Sequence, residues 1–205
     1  ETITGFDDTT GLVIFCFIVI LYTTFGGFRT IALTDAIQGV IMLVAAVCLL
    51  VRLNHIGGGM EHIMKNIAEI NPDLLRPDSG GNLPIPFLLS FWVLVGVAVL
   101  GLPQTTVKCM GFKDSKSMHN GMIIGTLVVG ALMILTHLIG VMSIPLVPNL
   151  DIGDKLIPTV SLKVLNPVLV GIFIGGPLAA IMSTIDAMLI LASAAIVKDI
   201  YINYI

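Results

Sequence analysis

Hydrophobic residues run in long stretches along this chain instead of alternating with polar ones. No charged residue occurs within 9–28, 79–107 or 120–150, and two further apolar stretches are each interrupted only by one aspartate. A membrane-spanning helix needs about 20 consecutive, mostly apolar residues. The pattern therefore predicts five spans, called A to E: about 10–26, 31–52, 87–107, 121–145 and 168–196.

The predicted spans must be helical. Backbone groups in lipid need partners within their own structure, and only helices and closed barrels supply them. Barrel strands alternate polar and apolar side chains, and these stretches do not. We predict an all-α, polytopic membrane protein in which 1–205 form a single transmembrane domain.

The segment between spans B and C, 53–86, is predicted to be an external loop with amphipathic character. Within it Met60, Ile63, Met64 and Ile67 recur at helical spacing. A short amphipathic helix is expected there, lying either on the bundle or in the membrane interface.

Composition excludes several classes of function. Hydrophobic residues make up 56% of the 205 and charged residues only 11%, whereas soluble domains carry about 25% charged residues. The net charge of −3 argues against a nucleic-acid partner, which would require a basic face. We find no phosphate loop, catalytic triad or metal-ligand motif, so neither an enzyme nor an organic cofactor is expected. The first residue is not methionine, and we expect a piece of a longer chain.

The distribution of basic residues predicts the orientation. Both sets of alternating loops hold the same number of lysines and arginines, but 26–30, 108–120 and 197–205 pack them into shorter segments. Basic residues close to helix ends favour the cytoplasm. We therefore predict that these loops are cytoplasmic, with the N-terminus of the chain outside and its C-terminus inside.

Asp35 is one of two carboxylates within the spans. Ionisable groups in spans are costly and mark functional sites by default. Asp35 lies near the start of span B and shares a helix face with Gln38. Two interpretations stay open: an anchor at the interface paired with Arg29, or a cation relay that faces a cytoplasmic water cavity.

Span E holds the other carboxylate, Asp186, and a cluster of neutral oxygens. Pro177 cannot donate to the carbonyl of Phe173, so the helix should kink or loosen there. The Ala180 carbonyl points towards the hydroxyls of Ser183 and Thr184, and hard cations bind such oxygens. Either these three groups bind sodium, or the hydroxyls bond back to their own helix.

Three further residues are weaker candidates. Trp92 and Gln104 in span C would line a substrate path, although Trp92 equally suits packing and Gln104 lies near the cytoplasmic helix end. His137 in span D is expected to bond to a neighbouring helix rather than to carry protons.

Three stretches resemble the sodium:solute symporter family. They are Gly26-Gly27-Phe28-Arg29 with Thr34-Asp35-Ala36-Ile37-Gln38, then Gly101-Leu102-Pro103-Gln104 with Lys113-Asp114-Ser115-Lys116, and Ala179-Ala180-Ile181-Met182-Ser183-Thr184 continuing to Ser193 and Lys198-Asp199-Ile200-Tyr201. The second stretch, with Phe91-Trp92-Val93-Leu94 before it, looks most like the sodium/pantothenate branch. The proline branch is the nearest alternative.

The resemblance implies a function and a set of roles. It implies an inverted-repeat transporter in the cell membrane that imports pantothenate with sodium by alternating access. Sodium would be the coupling ion, held by the Ala180 carbonyl and the Ser183 and Thr184 hydroxyls, with further ligands on helices outside this chain. Asp35 is implied in sodium binding or release, and we place Asp186 beside it in the ion pathway. Expected partners are the solute, the lipid bilayer and the remaining helices. The alternatives are a symporter for proline or another organic solute, a symporter-like membrane sensor module, and a passive pore.

Overall fold

A computed structural model describes residues 7–148, 150 and 153–204, and every element within them is helical. The predicted all-α class is confirmed. The α-helices are α1 Asp8–Ile56, α2 Met60–Ile70, α3 Ile85–Gly101, α4 Pro103–Met110, α5 Ser115–Ser143, α6 Leu156–Val164, α7 Pro167–Ala194 and α8 Ile202–Tyr204. Short 3₁₀ turns occupy Pro72–Leu75, Ser79–Gly81 and Gly153–Lys155, and a π-helical segment, Ala195–Tyr201, continues α7.

The helix α1 consists of two parts that meet at Gly27. This residue has φ 62° and ψ −174°, a conformation open almost only to glycine. Unbroken, the 49 residues of α1 would extend for more than 70 Å, about twice the ~30 Å of a bilayer core. We call 8–26 the first half of α1 and 28–56 the second half.

Both halves of α1 pack against α7, and the contacts show a turn at Gly27. The second half runs antiparallel to α7: Gly176 lies against Ala45, and Ile190 shares a cavity with Ile31. A straight continuation would carry Tyr22 about 13 Å beyond Ile31, past Ile190. Tyr22 instead bonds Asp186, so the first half leaves the line of the second.

The buried hydrophobic core lies at one end of this bundle. It joins the end of α1, the end of α5 and the start of α7 with the two short helices α2 and α6. Ile63 and Ile67 of α2 are buried in it. The amphipathic helix expected in the B–C segment is therefore present as α2 and packs on the bundle.

Span C differs from its prediction. We expected one helix over 87–107, but the helix breaks at Leu102, which has ψ 122°. Ile85–Val99 and Pro103–Met110 meet there at 44°. The cause is Pro103, because a proline disfavours the α conformation in the residue before it. Pro177 behaves otherwise: α7 continues through it as a helix.

Length and hydropathy mark three described helices as able to cross a membrane, namely Thr9–Ile56, Ser115–Ser143 and Leu169–Tyr204. The bent pair in span C makes a fourth if both pieces cross together. Predicted spans A and B both fall within Thr9–Ile56, on either side of the break at Gly27. The division into five spans stays a prediction, and this break favours it.

A hydrogen-bonded cap starts α5. Asp114 is extended, and its Oδ1 accepts from the Ser117 backbone N–H at 2.7 Å. This bond holds the pKa of the Asp114 carboxyl below its usual value. The capping contribution is thus complete above the unfolded-state pKa of about 3.9 and is lost as pH falls through the lower folded-state pKa.

We expect Asp114→Ala to speed amide exchange at Ser117 at neutral pH, because the first helical turn loses its acceptor. Hydrogen exchange measured by mass spectrometry checks this. Asp114→Asn keeps an acceptor oxygen and should exchange much more slowly than the alanine variant. The difference between wild type and Asp114→Ala should shrink as the carboxyl becomes protonated; a pH-independent difference would contradict the role of the charge.

Candidate functional site

The Asp35 carboxylate forms an ion pair that connects two helices. Asp35 lies on the second half of α1, and its Oδ2 accepts a hydrogen bond from Lys108 Nζ of α4 at 2.7 Å. The anchor interpretation paired Asp35 with Arg29, and that pairing is wrong. The Asp35 side chain is 17% exposed and that of Lys108 is 41% exposed, so the pair lies at the edge of the bundle.

Two acceptor oxygens beside this ion pair are buried without a partner. Among the described residues they are Asp35 Oδ1 and Gln38 Oε1, which are three residues apart and so share one helix face. Buried acceptors normally receive a hydrogen bond. The face thus holds two oxygens that a donor or a cation would satisfy.

An open cavity of about 300 Å³ adjoins the ion pair. Its walls come from the second half of α1 and from the α4–α5 region: Phe28, Ile31, Ala32, Asp35, Lys108, Gly111 and Phe112. A small second cavity includes Gln104 and Lys108 of α4 together with Ala187 and Ile190 of α7. Gln104, a predicted substrate-path residue, therefore lies where α1, α4 and α7 meet.

Asp186 is fully buried, with 0% exposure, and hydroxyl groups satisfy both of its oxygens. Tyr22 Oη donates to Oδ2 at 2.5 Å and Thr23 Oγ1 donates to Oδ1 at 2.7 Å. Both donors belong to the first half of α1. Asp186 thus joins this half to α7 without a cationic partner among the described residues.

The three predicted sodium ligands lie within the two turns before Asp186 on α7. Thr184 Oγ1 donates to the Ala180 carbonyl at 3.1 Å, so these two oxygens are adjacent. This is the back-bonding that the alternative interpretation expected of Thr184. Among the described residues the Ser183 hydroxyl has no hydrogen-bond partner, and Ser183 shares a helix face with Asp186.

Two candidates lie apart from this region. Trp92 is 77% exposed on α3 and lines neither of the cavities beside Lys108. His137 Nδ1 is 2.7 Å from the Met133 carbonyl of its own helix, and within the described residues no bond to a neighbouring helix is found.

Sequence reasoning missed the partners of both carboxylates. Lys108 was counted among the loop cations that set the orientation. The Tyr22-Thr23 pair inside span A was the available signal for Asp186, because polar side chains in a span need partners. Nothing in the sequence indicated which carboxylate each would reach.

Comparison with known proteins decides the family. The family model described as "Sodium:solute symporter family" matches residues 1–205. The chain belongs to the sodium:solute symporter family. The resemblance drawn from three short stretches is confirmed, and the family and the apolar helices together indicate a membrane protein.

Several curated relatives match nearly the whole chain. Sodium/pantothenate symporters of Haemophilus influenzae and Escherichia coli are each 46% identical to it over 204 residues, 99% of the chain. The osmoregulated proline transporter OpuE of Bacillus subtilis is 32% identical over 211 residues. In all three the match spans 42% of the relative's own length. No solved structure matches the chain.

Proposed function

We propose that this chain is part of a sodium-coupled secondary active transporter that imports pantothenate by alternating access. The identity of 46% with two sodium/pantothenate symporters, against 32% with a proline transporter, carries the proposal. Family and relatives are symporters, which favours transport over catalysis. The proposed location is the cell membrane, with the N-terminus of the chain outside and its C-terminus in the cytoplasm.

We propose that the coupling ion binds at Ala180, Ser183 and Thr184. Two observations support the site: the Ser183 hydroxyl lacks a partner in the described part, and all three groups are neutral oxygen donors, which suit a hard cation. The bond of 3.1 Å from the Thr184 hydroxyl to the Ala180 carbonyl keeps these two oxygens adjacent and is compatible with the site. The membrane potential supplies about 2.3 kcal/mol per charge at 100 mV, so one sodium ion concentrates the solute appreciably.

Asp35 and Asp186 are proposed to border the ion pathway. Asp186 lies within one turn of Ser183, and Asp35 lies beside the open cavity. Gln104 is the better supported of the two substrate-path candidates, because it lies between α1 and α7. Trp92 contributes to a substrate path only through helices outside this chain.

Uptake of radiolabelled pantothenate tests the proposal. The complete transporter is expressed in a strain that lacks pantothenate transport, and uptake is compared in sodium and in choline buffer. We expect accumulation only in sodium, not reduced by excess unlabelled proline. Equal uptake in both buffers, or equilibration without accumulation as in a passive pore, would contradict it.

A sodium/proline symporter is the second candidate. It is favoured by similarity to proline carriers, including a Staphylococcus aureus sodium/proline symporter that is 30% identical over 207 residues. Sodium-dependent uptake of labelled proline, with none of pantothenate, would select it. Sodium-dependent uptake of neither solute would favour another organic solute or a sensor module.

Asp35→Asn is expected to slow sodium-coupled turnover at least about tenfold. The neutral amide cannot balance the positive charge of an arriving sodium ion, and a polar contact to a charge is worth about 1.5–3 kcal/mol. Initial rates of uptake at saturating sodium measure the effect. Asp114→Asn, outside the pathway, serves as the matched control. Wild-type kinetics in Asp35→Asn would reduce Asp35 to an anchor.

A further inference from the structure

The Asp35 carboxylate is only half satisfied. Oδ2 accepts a hydrogen bond from the Lys108 ammonium at 2.7 Å. In the part of the chain that the structure describes, Oδ1 is buried with no partner, as is Oε1 of Gln38 on the same face. Because unsatisfied buried acceptors are costly, this arrangement suits a site that takes up a further donor or cation during its working cycle.

The Lys108 side chain is placed so that its ammonium can move away from the Asp35 carboxylate. This side chain is 41% exposed and lines both cavities between α1 and α4. A lysine ammonium is a compact, strongly hydrated charge on a flexible stem. It can therefore move from Oδ2 into the open cavity, where water replaces the carboxylate as its partner.

We propose that Lys108 is an exchangeable counter-ion of Asp35, and that its ammonium and a sodium ion compete for the carboxylate. Sodium bound to Asp35 would use Oδ1 and Gln38 Oε1, which lack partners among the described residues. Its charge would repel the ammonium held at Oδ2 of the same carboxylate. This rests on the proposed sodium coupling and adds a positioning residue to it. Without sodium, the ion pair between Lys108 and Asp35 holds α4 against α1, and we call this contact the latch. Sodium binding at Asp35 releases the latch.

The structure explains why release would have an effect beyond Asp35. The helix α4 is set off from α3 by the bend at Leu102, and Gln104 of α4 shares a cavity with Ala187 of α7. When Lys108 leaves Asp35, this short helix loses its ionic contact with α1. The cavity between them then widens on the predicted cytoplasmic side.

Sodium titration of uptake gives the first test. Lys108→Met keeps the apolar stem but removes the competing charge. We expect it to lower the sodium concentration for half-maximal uptake about threefold, the scale of a partly exposed ion pair, and Lys108→Arg to stay close to wild type. An unchanged sodium requirement in correctly inserted Lys108→Met would overturn the proposal.

Cross-linking gives a test that needs no transport activity. Cys16, Cys48 and Cys109 are replaced by serine, and cysteines are introduced at Ile31 and Val107, which line one cavity. A bifunctional maleimide should then link them about threefold more slowly in sodium than in choline. In Lys108→Met the rates in the two buffers should be equal, while Lys108→Arg restores the difference.

The two tests separate this proposal from the proposed function. A sodium effect on cross-linking without pantothenate uptake would leave the latch intact and overturn the substrate. Sodium-dependent pantothenate uptake together with cross-linking rates that do not depend on sodium would support the proposed function and overturn the latch.

Discussion

Replacing Ser183 or Thr184 with alanine is expected to raise the sodium concentration for half-maximal pantothenate uptake by about tenfold or more. Each variant removes one hydroxyl oxygen from the proposed ion site, and a polar contact to a charge is worth about 1.5–3 kcal/mol, which is about tenfold or more in affinity. Maximal uptake at saturating sodium should fall less. Initial rates across a sodium series measure both quantities.

Two variants of the same helix serve as controls for this prediction. Thr184→Ser keeps a hydroxyl that can reach the Ala180 carbonyl and should retain most of the affinity for sodium. Ser193→Ala removes a hydroxyl that lines a different cavity, beside Thr23 and Thr24, and should leave the sodium requirement unchanged. If Ser183→Ala and Thr184→Ala keep the wild-type sodium requirement, the proposed ion site is wrong.

The second large effect is expected at Asp186, as a loss of stability. In the wild type the Tyr22 and Thr23 hydroxyls are 2.5 and 2.7 Å from the Asp186 carboxylate oxygens. Asp186→Leu leaves both hydroxyls without these acceptors. The free energy of unfolding should drop by about 1–3 kcal/mol. Asp186→Asn retains one acceptor and donates to the other hydroxyl, so its loss should stay below about 1 kcal/mol.

Melting of the purified transporter in detergent, followed by circular dichroism, checks the order of these variants. Tyr22→Phe removes one of the two donors and should lie between them. Combined with Asp186→Leu, Tyr22→Phe should cost little more, because the two residues share one interaction. Additive losses would show that Asp186 does not hold the first half of α1 against α7.

The sequence predicted most of the architecture because the signals that define spans are local. Runs of about 20 apolar residues identify helices in a membrane protein without any knowledge of their neighbours. The spacing of Ile63 and Ile67 likewise indicated the amphipathic helix α2, and its buried face is observed. The break at Leu102 was also available locally, since Pro103 restricts its conformation, but hydropathy alone concealed it.

The partners of the two span carboxylates could not be predicted in the same way. Asp35 and Lys108 are 73 residues apart, and Tyr22 and Asp186 are 164 residues apart. The contact between Tyr22 and Asp186 depends on the turn at Gly27, and that between Asp35 and Lys108 depends on the packing of α4 beside the second half of α1. The nearby Arg29 was the natural expectation for Asp35, and tertiary structure placed Lys108 there instead.

The sodium ligands were named through the resemblance to the family. Spacing alone placed the Ala180 carbonyl near the Ser183 and Thr184 hydroxyls, and back-bonding to the helix explained that spacing equally well. The observed bond from Thr184 to Ala180 is compatible with both interpretations of Thr184, as a sodium ligand and as a residue bonded back to its own helix. The two oxygens at Asp35 and Gln38 that have no partner among the described residues could not be recognised from the sequence.

Uptake into proteoliposomes measures the central claim most directly. The purified complete transporter is reconstituted into vesicles, and an inward sodium gradient with a negative interior potential is imposed across their membrane. Labelled pantothenate is supplied outside. The account predicts transient accumulation above the external concentration, abolished when sodium is equilibrated and the potential is collapsed. Equal internal and external pantothenate under the full gradient would contradict it.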